Sequence, residues 1–121
     1  MIDNSQSIRQ ALKRAVVLFR KGAYLEFQEA IEALYPGADE SGRFLCESLV
    51  ELALGMRLFL EFGSERRGEN ALRQALLKLE FLPAVYKGLR VEALREDIGT
   101  LLKTRPEERE RALKIRFAFF G

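Results

Sequence analysis

Apolar side chains recur with the 3.6-residue period of an α-helix along most of this chain, from Ile8 to Leu102. No segment in that range alternates apolar and polar residues at every second position, as a half-buried β-strand would. Residues that end helices interrupt the pattern at four points, which are Gly22, Pro36, Gly63 and Pro83. The sequence therefore predicts one all-α domain over residues 1–121, a compact antiparallel bundle of five to six helices.

The interruptions divide the chain into helices of ordinary length. We predict them at about residues 5–21, 23–35, 42–62, 64 or 68 to 82, and 91–103. The third helix carries two apolar stripes, one through Leu49 and Met56 and the other through Val50 and Leu54. A helix that is apolar on two sides is packed at the centre of a bundle or shared with a partner subunit. We therefore expect the third helix to be central.

The last part of the chain, residues 104–121, has a pattern of its own. Thr104 and Glu107 have the spacing of a capping box, with Pro106 in the first turn, which predicts a sixth helix. That helix leads into an aromatic tail with Phe117, Phe119 and Phe120. Rings of this kind either dock on their own core or cover a partner subunit. We predict a homodimer whose interface uses part of the third helix or these three phenylalanines.

The composition limits the class of protein. A length of 121 residues is that of one domain with a modest core. Basic and acidic residues are nearly balanced, with 20 Lys+Arg against 18 Asp+Glu and a formal net charge of +2. This balance does not indicate nucleic acid or an acidic membrane as a partner. No stretch reaches the roughly 18 uninterrupted apolar residues of a membrane span, and the N-terminus lacks the basic-then-apolar order of a signal peptide. We expect a soluble, cytoplasmic protein without membrane association.

The absence of histidine removes much of the usual catalytic chemistry. Nucleophile activation by a Ser-His or Cys-His pair is impossible, and so is a zinc site with histidine ligands. The single cysteine, Cys46, lies among apolar residues and is expected to be a small buried side chain. We predict no cofactor, no metal site and no catalytic residue. The lack of these catalytic groups favours a protein that is not an enzyme.

Three spaced patterns lie between residues 18 and 103. The first contains Phe19, Gly22, Tyr24, Glu26, Gln28, Glu29, Glu32 and Tyr35. The second is Glu47-Ser48-Leu49-Val50-Glu51-Leu52-Ala53, and the third is Gly88-Leu89 with Val91 and Leu94. In these patterns and in the order of its helices, the segment resembles the domain of unknown function 309 family, a group of small all-helical bacterial and archaeal proteins. The resemblance implies a helical fold but no particular activity, because the family's own biochemical role is not established.

The chain departs from that family at polar positions. The resemblance places Gln28 where the family carries a histidine and Tyr35 where it carries a tryptophan. It also places Glu47 and Glu51 where the family carries glutamines. The resemblance therefore implies a divergent member in which any function of the family histidine is lost or altered. The hairpin of residues 18–33 also resembles one tetratricopeptide unit, but no 34-residue spacing of signature residues repeats it.

The polar positions of these patterns form the candidate site, namely Tyr24, Glu26, Gln28, Glu29, Glu32, Tyr35, Glu47 and Glu51. The glutamates could form a carboxylate cage for a hard cation such as Mg²⁺, or simply a solvated acidic flank. At 100° per residue, Glu26 and Glu29 fall on the far side of the second helix from its apolar stripe, with Gln28 at the stripe's edge. We expect Gln28 to be an amide hydrogen-bonded to a neighbouring helix.

Three hypotheses for function follow. The first is a non-catalytic structural or protein-interaction module. The second is a degenerate carboxylate-based hydrolase or metal-binding protein, which would bring Glu26, Glu29, Glu47 and Glu51 around one cleft. The third is a nucleic-acid-binding accessory protein, which is disfavoured because a glycine-rich phosphate loop and an aromatic-basic platform are both missing. Its basic residues would be Lys13, Arg14, Arg20, Lys21, Arg66 and Arg67.

Overall fold

The computed structural model describes residues 4–104, and within them it has five α-helices and one small β-hairpin. The elements are α1 (Asn4–Arg20), α2 (Tyr24–Glu32), a 3₁₀ turn (Tyr35–Gly37), α3 (Glu40–Leu60), α4 (Glu65–Leu79), β1 (Val85–Tyr86), β2 (Leu89–Arg90) and α5 (Val91–Lys103). Successive helices pack side by side, and α3 makes its most extensive contacts with α4 and α2. The predicted all-α bundle with a central third helix is confirmed. The predicted sixth helix and the phenylalanines of the tail lie outside the described residues.

The boundaries of the helices differ from the prediction where local hydrogen bonds override the apolar pattern. α5 has the predicted bounds, whereas α2 ends at Glu32 rather than at residue 35. The Leu34 N–H bonds to the Ile31 carbonyl, which is a tighter i to i−3 step, and the 3₁₀ turn follows. Pro36 contributes to this ending, because it has no N–H to donate to the Glu32 carbonyl four residues earlier.

The end of α1 confirms the predicted role of Gly22. This residue has a φ of +78°, in the left-handed region that glycine adopts without steric cost. The Ala23 N–H bonds to the Leu18 carbonyl, and the Gly22 N–H bonds to the Phe19 carbonyl. This pair of bonds is a Schellman motif, and it turns the chain directly into α2.

The β-hairpin was not predicted. Val85 pairs with Arg90 and Tyr86 pairs with Leu89 in antiparallel register. Lys87 and Gly88 between them have φ values of +51° and +84°, as both central residues of a type I′ turn require. Strands of two residues are too short to show a period of two in the sequence.

The core lies between α1, α2, α3 and the inner sides of α4 and α5. An aromatic cluster joins α1 to α2, because the Phe19 ring meets Tyr24 at 5.0 Å and Phe27 at 5.1 Å, both edge to face. Phe27 is fully buried. The largest other fully buried side chains are Leu12, Ile31, Leu45, Leu49, Leu52, Met56, Leu72, Leu79, Leu89, Leu94 and Ile98.

Two glycines allow α3 and α4 to approach closely. A Cβ atom added at Gly55 would lie 3.1 Å from the backbone oxygen of Gly68 and 3.0 Å from Leu72 Cδ2. A Cβ atom added at Gly68 would lie 2.6 Å from the ring of Phe59. The backbones therefore cross at a distance that only small residues permit, which fixes how α4 sits beside α3.

Asp39 connects the start of α3 to the hairpin. Its Oδ1 accepts a hydrogen bond from the Gly42 N–H at 2.8 Å and another from the Tyr86 hydroxyl at 2.8 Å. The first bond is an N-cap, and it explains why α3 begins at Glu40, two residues before the predicted start. The second bond joins residues that are 47 positions apart in the chain.

Replacing Asp39 with alanine is expected to lower the free energy of unfolding by about 1 kcal/mol at neutral pH, because the N-cap is lost. The hydrogen bonds from Gly42 and Tyr86 lower the pKa of Asp39 below its usual value. A group with a lowered pKa stabilises the fold above its unfolded pKa, and this stabilisation disappears as the pH falls through the folded pKa. Urea unfolding at neutral pH and below pH ~4 should therefore show the difference between wild type and variant shrinking in acid. A difference that is independent of pH would contradict this account.

Candidate functional site

An open groove runs along α3, between the turn at Tyr35 and α4. It consists of three adjoining depressions with volumes of about 190, 390 and 310 Å³. The first two share Tyr35 and Glu47, and the last two share Glu51. We call it the α3 groove. It is lined by α3 between Glu40 and Leu58, by Glu32 and Tyr35 on one side, and by α4 on the other.

The floor of the α3 groove is apolar. It contains Cys46, Val50, Leu54 and Leu58, which follow one another at intervals of four residues and therefore share one side of the helix. Cys46 and Leu58 are buried, whereas Leu54 is 37% exposed. Within this floor Leu54 is exposed and Val50 is half-buried, so the apolar surface that reaches solvent lies in the middle of α3.

The central depression carries three carboxylates and one ammonium group, from Glu32, Glu47, Glu51 and Lys78. Lys78 Nζ lies 3.9 Å from Glu51 Oε1. The Tyr35 hydroxyl donates a long hydrogen bond of 3.4 Å to Glu47 Oε1. Within residues 4–104, no basic side chain forms an ion pair with Glu32 or Glu47. The central depression therefore carries two net negative charges.

Half of the predicted site residues meet in this groove. Glu32, Tyr35, Glu47 and Glu51 line the central depression. Tyr24 is buried in the aromatic cluster with Phe19 and does not reach the groove. Glu26 and Glu29 are exposed on α2 and line none of its three depressions, as the helical spacing predicted. Of the five glutamates of the predicted carboxylate cage, Glu32, Glu47 and Glu51 therefore meet in the central depression, whereas Glu26 and Glu29 do not.

The expectation for Gln28 was wrong. Its Nε2 donates a 2.8 Å hydrogen bond to Glu32 Oε1, one turn further along the same helix, and not to a neighbouring helix. Its Oε1 is buried without a hydrogen-bond partner among the described residues. Gln28 thus orients Glu32 at the rim of the groove.

Cys46 is a poor nucleophile in this position. Burial raises the pKa of its thiol to about 11, and the nearby negative charge of Glu47 adds to the effect. The thiolate is the reactive form, so the thiol remains protonated and inert near neutral pH. This agrees with the predicted role of Cys46 as a small buried side chain.

The described part of the chain contains no group of three or more Cys, Asp or Glu side chains arranged to hold a metal ion. The pairing of Glu51 with Lys78 also removes one carboxylate from any such arrangement. The groove instead combines an apolar floor with unpaired negative charge. That combination suits an amphipathic, positively charged ligand.

The first depression ends in an aromatic surface that the sequence did not indicate. Phe44 on α3 and Phe81, just after α4, stack with ring centroids 5.2 Å apart. The Arg43 guanidinium lies 5.7 Å from the centre of the Tyr35 ring, on the other side of the depression. Phe81 is 71% exposed and lies outside the three depressions, where it stacks on Phe44 of the first.

Sequence reasoning also missed the side of the groove that α4 provides. Arg67, Asn70, Gln74 and Lys78 line it at intervals of three or four residues. These residues looked like an ordinary solvated face of an amphipathic helix. Their role depends on how α4 packs beside α3, and no local pattern encodes that packing. Of the six basic residues considered for nucleic acid, Arg67 alone lines the groove.

Comparison with known proteins finds no family model that matches the chain and no curated protein of similar sequence. The resemblance described above therefore rests on the quoted residues. None of the helices within residues 4–104 combines the length and the apolar character that crossing a membrane requires.

Proposed function

We propose that this protein is a non-catalytic protein-interaction module and that the α3 groove is its contact surface. The observation that carries this proposal is the apolar floor of an open groove along the central helix, in which Val50 and Leu54 reach solvent. From Glu40 to Leu58 the groove follows α3 for about 27 Å, at 1.5 Å per residue. Apolar surfaces that are elongated and rimmed by polar side chains are typical of sites that bind a protein segment.

The polar groups of the groove support a binding role better than a catalytic one. A general acid or base needs a pKa near the working pH, and a nucleophile needs a base within hydrogen-bond reach. Cys46 is held in the protonated form, and Glu51 is engaged by Lys78. The hypothesis of a degenerate carboxylate-based hydrolase or metal protein therefore gains no specific support.

Self-association is part of the proposal. Leu60 and Phe62, at the C-terminal end of α3, are 43% and 62% exposed, and the Arg57 guanidinium lies 5.7 Å from the centre of the Phe62 ring. A homodimer through this end of α3 would cover apolar surface that the described part of the subunit leaves open. The predicted contribution of Phe117, Phe119 and Phe120 lies outside the described residues.

Two further proposals concern origin and location. We regard the chain as a divergent member of the family it resembles, which is supported by the burial of Phe19, Leu49 and Leu52, three apolar positions of the quoted patterns. A cytoplasmic location is supported by the single cysteine, because Cys46 is a free, buried thiol of the kind that reducing compartments maintain.

Site-specific photo-crosslinking tests the interaction proposal. Benzoylphenylalanine is introduced into the full chain at Tyr35 in the groove, at Phe62, or at Leu77, and adducts formed in host extract are resolved by mass. Leu77 is the control, because it is 53% exposed on α4 and lines none of the three depressions. We expect an adduct of twice the chain mass from Phe62 and discrete adducts with another protein from Tyr35. Adducts at both positions no stronger than at Leu77 would refute the interaction role.

A further inference from the structure

We propose that the occupant of the α3 groove is an amphipathic helix of a partner protein, with an aliphatic stripe flanked by lysine or arginine. This inference rests on the proposed function, which it deepens by naming the chemistry of the partner. It follows from the shape of the groove, from its charge, and from the way that charge disfavours other occupants.

The shape favours a helix. The floor positions Cys46, Val50, Leu54 and Leu58 recur every four residues along α3. A helix lying beside α3 presents side chains at intervals of three and four residues, so its aliphatic side chains can alternate with those of the floor. A groove of about 27 Å accommodates about five helical turns, at 5.4 Å each.

The charge favours a cation on that helix. Glu32 and Glu47 both line the central depression, and neither forms an ion pair within the described residues. A lysine or arginine side chain can lay its aliphatic stem along Val50 and place its charged end near these carboxylates. Arg67, in the third depression, would oppose a second cation there, so the positive charge of the partner should face the central section.

The same charge disfavours two other occupants. If two copies of this chain met through the groove with twofold symmetry, each copy would bring its own Glu32 and Glu47 into one interface. Like charges brought together at an interface are costly. Nucleic acid is disfavoured as well, because its phosphates would face unpaired carboxylates in the central depression.

Selection from a phage-displayed library of random 18-residue peptides on the full chain tests this inference without a known partner. We expect the enriched peptides to carry aliphatic residues at helical spacing and a positive net charge. Synthetic copies labelled with fluorescein are then measured by anisotropy. Leu54→Asp should weaken binding at least tenfold, because it places a carboxylate in the floor. The double substitution Glu32→Gln and Glu47→Gln should weaken it about fivefold at low salt and less at high salt.

The matched control is the double substitution Glu26→Gln and Glu29→Gln, which removes the same charge from exposed positions of α2 outside the groove. It should leave binding unchanged. Selection without enrichment, acidic consensus peptides, or peptides that bind the Leu54→Asp variant as tightly as wild type would each overturn the inference. So would light scattering in which Leu54→Asp alone converts a dimer to a monomer, because the groove would then bind a second copy.

The crosslinking experiment separates this inference from the proposal beneath it. A protein that crosslinks at Tyr35 and still binds the Leu54→Asp variant would leave the interaction role standing and overturn the basic helix as occupant. If no specific adduct forms and no peptide is enriched, both the interaction role and the basic helix as occupant are refuted.

Discussion

Replacing Phe27 with alanine should lower the free energy of unfolding by about 4 kcal/mol, because the change leaves a large cavity between α1, α2 and α3. The Phe27 ring is fully buried and packs edge to face against Phe19 at 5.1 Å. Domains of this size are usually stable by only ~5–15 kcal/mol. Urea unfolding followed by far-ultraviolet circular dichroism would measure the loss, and the variant should be close to unfolding at physiological temperature.

Leu25→Ala is the matched control for this change. Leu25 lies on the same helix two residues earlier, and it is 41% exposed. Its truncation should alter the free energy of unfolding by no more than about 0.5 kcal/mol. A loss at Phe27 no larger than at Leu25 would show that the aromatic cluster does not hold α1 and α2 together.

Gly55→Val should lower the free energy of unfolding by about 3 kcal/mol, through overpacking rather than through a cavity. The added side chain would meet the backbone oxygen of Gly68 and the Leu72 side chain at about 3 Å. A backbone oxygen on the facing helix can move only if α4 itself moves. The change should therefore displace α4, which provides one side of the α3 groove, and weaken any ligand bound there. Urea unfolding measures the first effect and peptide anisotropy the second.

Gly99→Val on α5 separates this clash from the ordinary effect of replacing a helical glycine. A Cβ atom at Gly99 meets nothing within 4 Å. Valine has a higher helix propensity than glycine, so this variant should be as stable as wild type or more stable by a few tenths of a kcal/mol. If Gly55→Val and Gly99→Val lowered the free energy of unfolding by similar amounts, the α3–α4 contact would not require a glycine.

The sequence predicted most of the fold because helical period and helix stops are local signals. α5 was predicted with its observed bounds from the helical spacing of Val91, Leu94 and Ile98. The start of α3 was placed too late, because the segment around Asp39 reads as a polar loop until its side chain is seen to cap the helix. The hairpin was missed since its strands have only two residues each.

The candidate site was predicted in part. The sequence singled out Glu32, Tyr35, Glu47 and Glu51 as polar positions, and the structure brings them together. It could not show that Lys78 would join them, because that contact depends on how α4 is placed beside α3. Pairing between helices is a long-range property, and the close approach at Gly55 that determines it leaves no periodic signal.

The hydrogen bond between Asp39 and Tyr86 has a consequence for local unfolding. It closes a loop that contains α3 and α4, so the first turn of α3 and the hairpin constrain each other although they are far apart in sequence. Opening the hairpin removes one of the two bonds that Asp39 accepts and weakens the cap on α3. That first turn also borders the groove, through Glu40 and Arg43. We therefore expect fraying at one end of the groove to be coupled to the opening of a hairpin that does not line it.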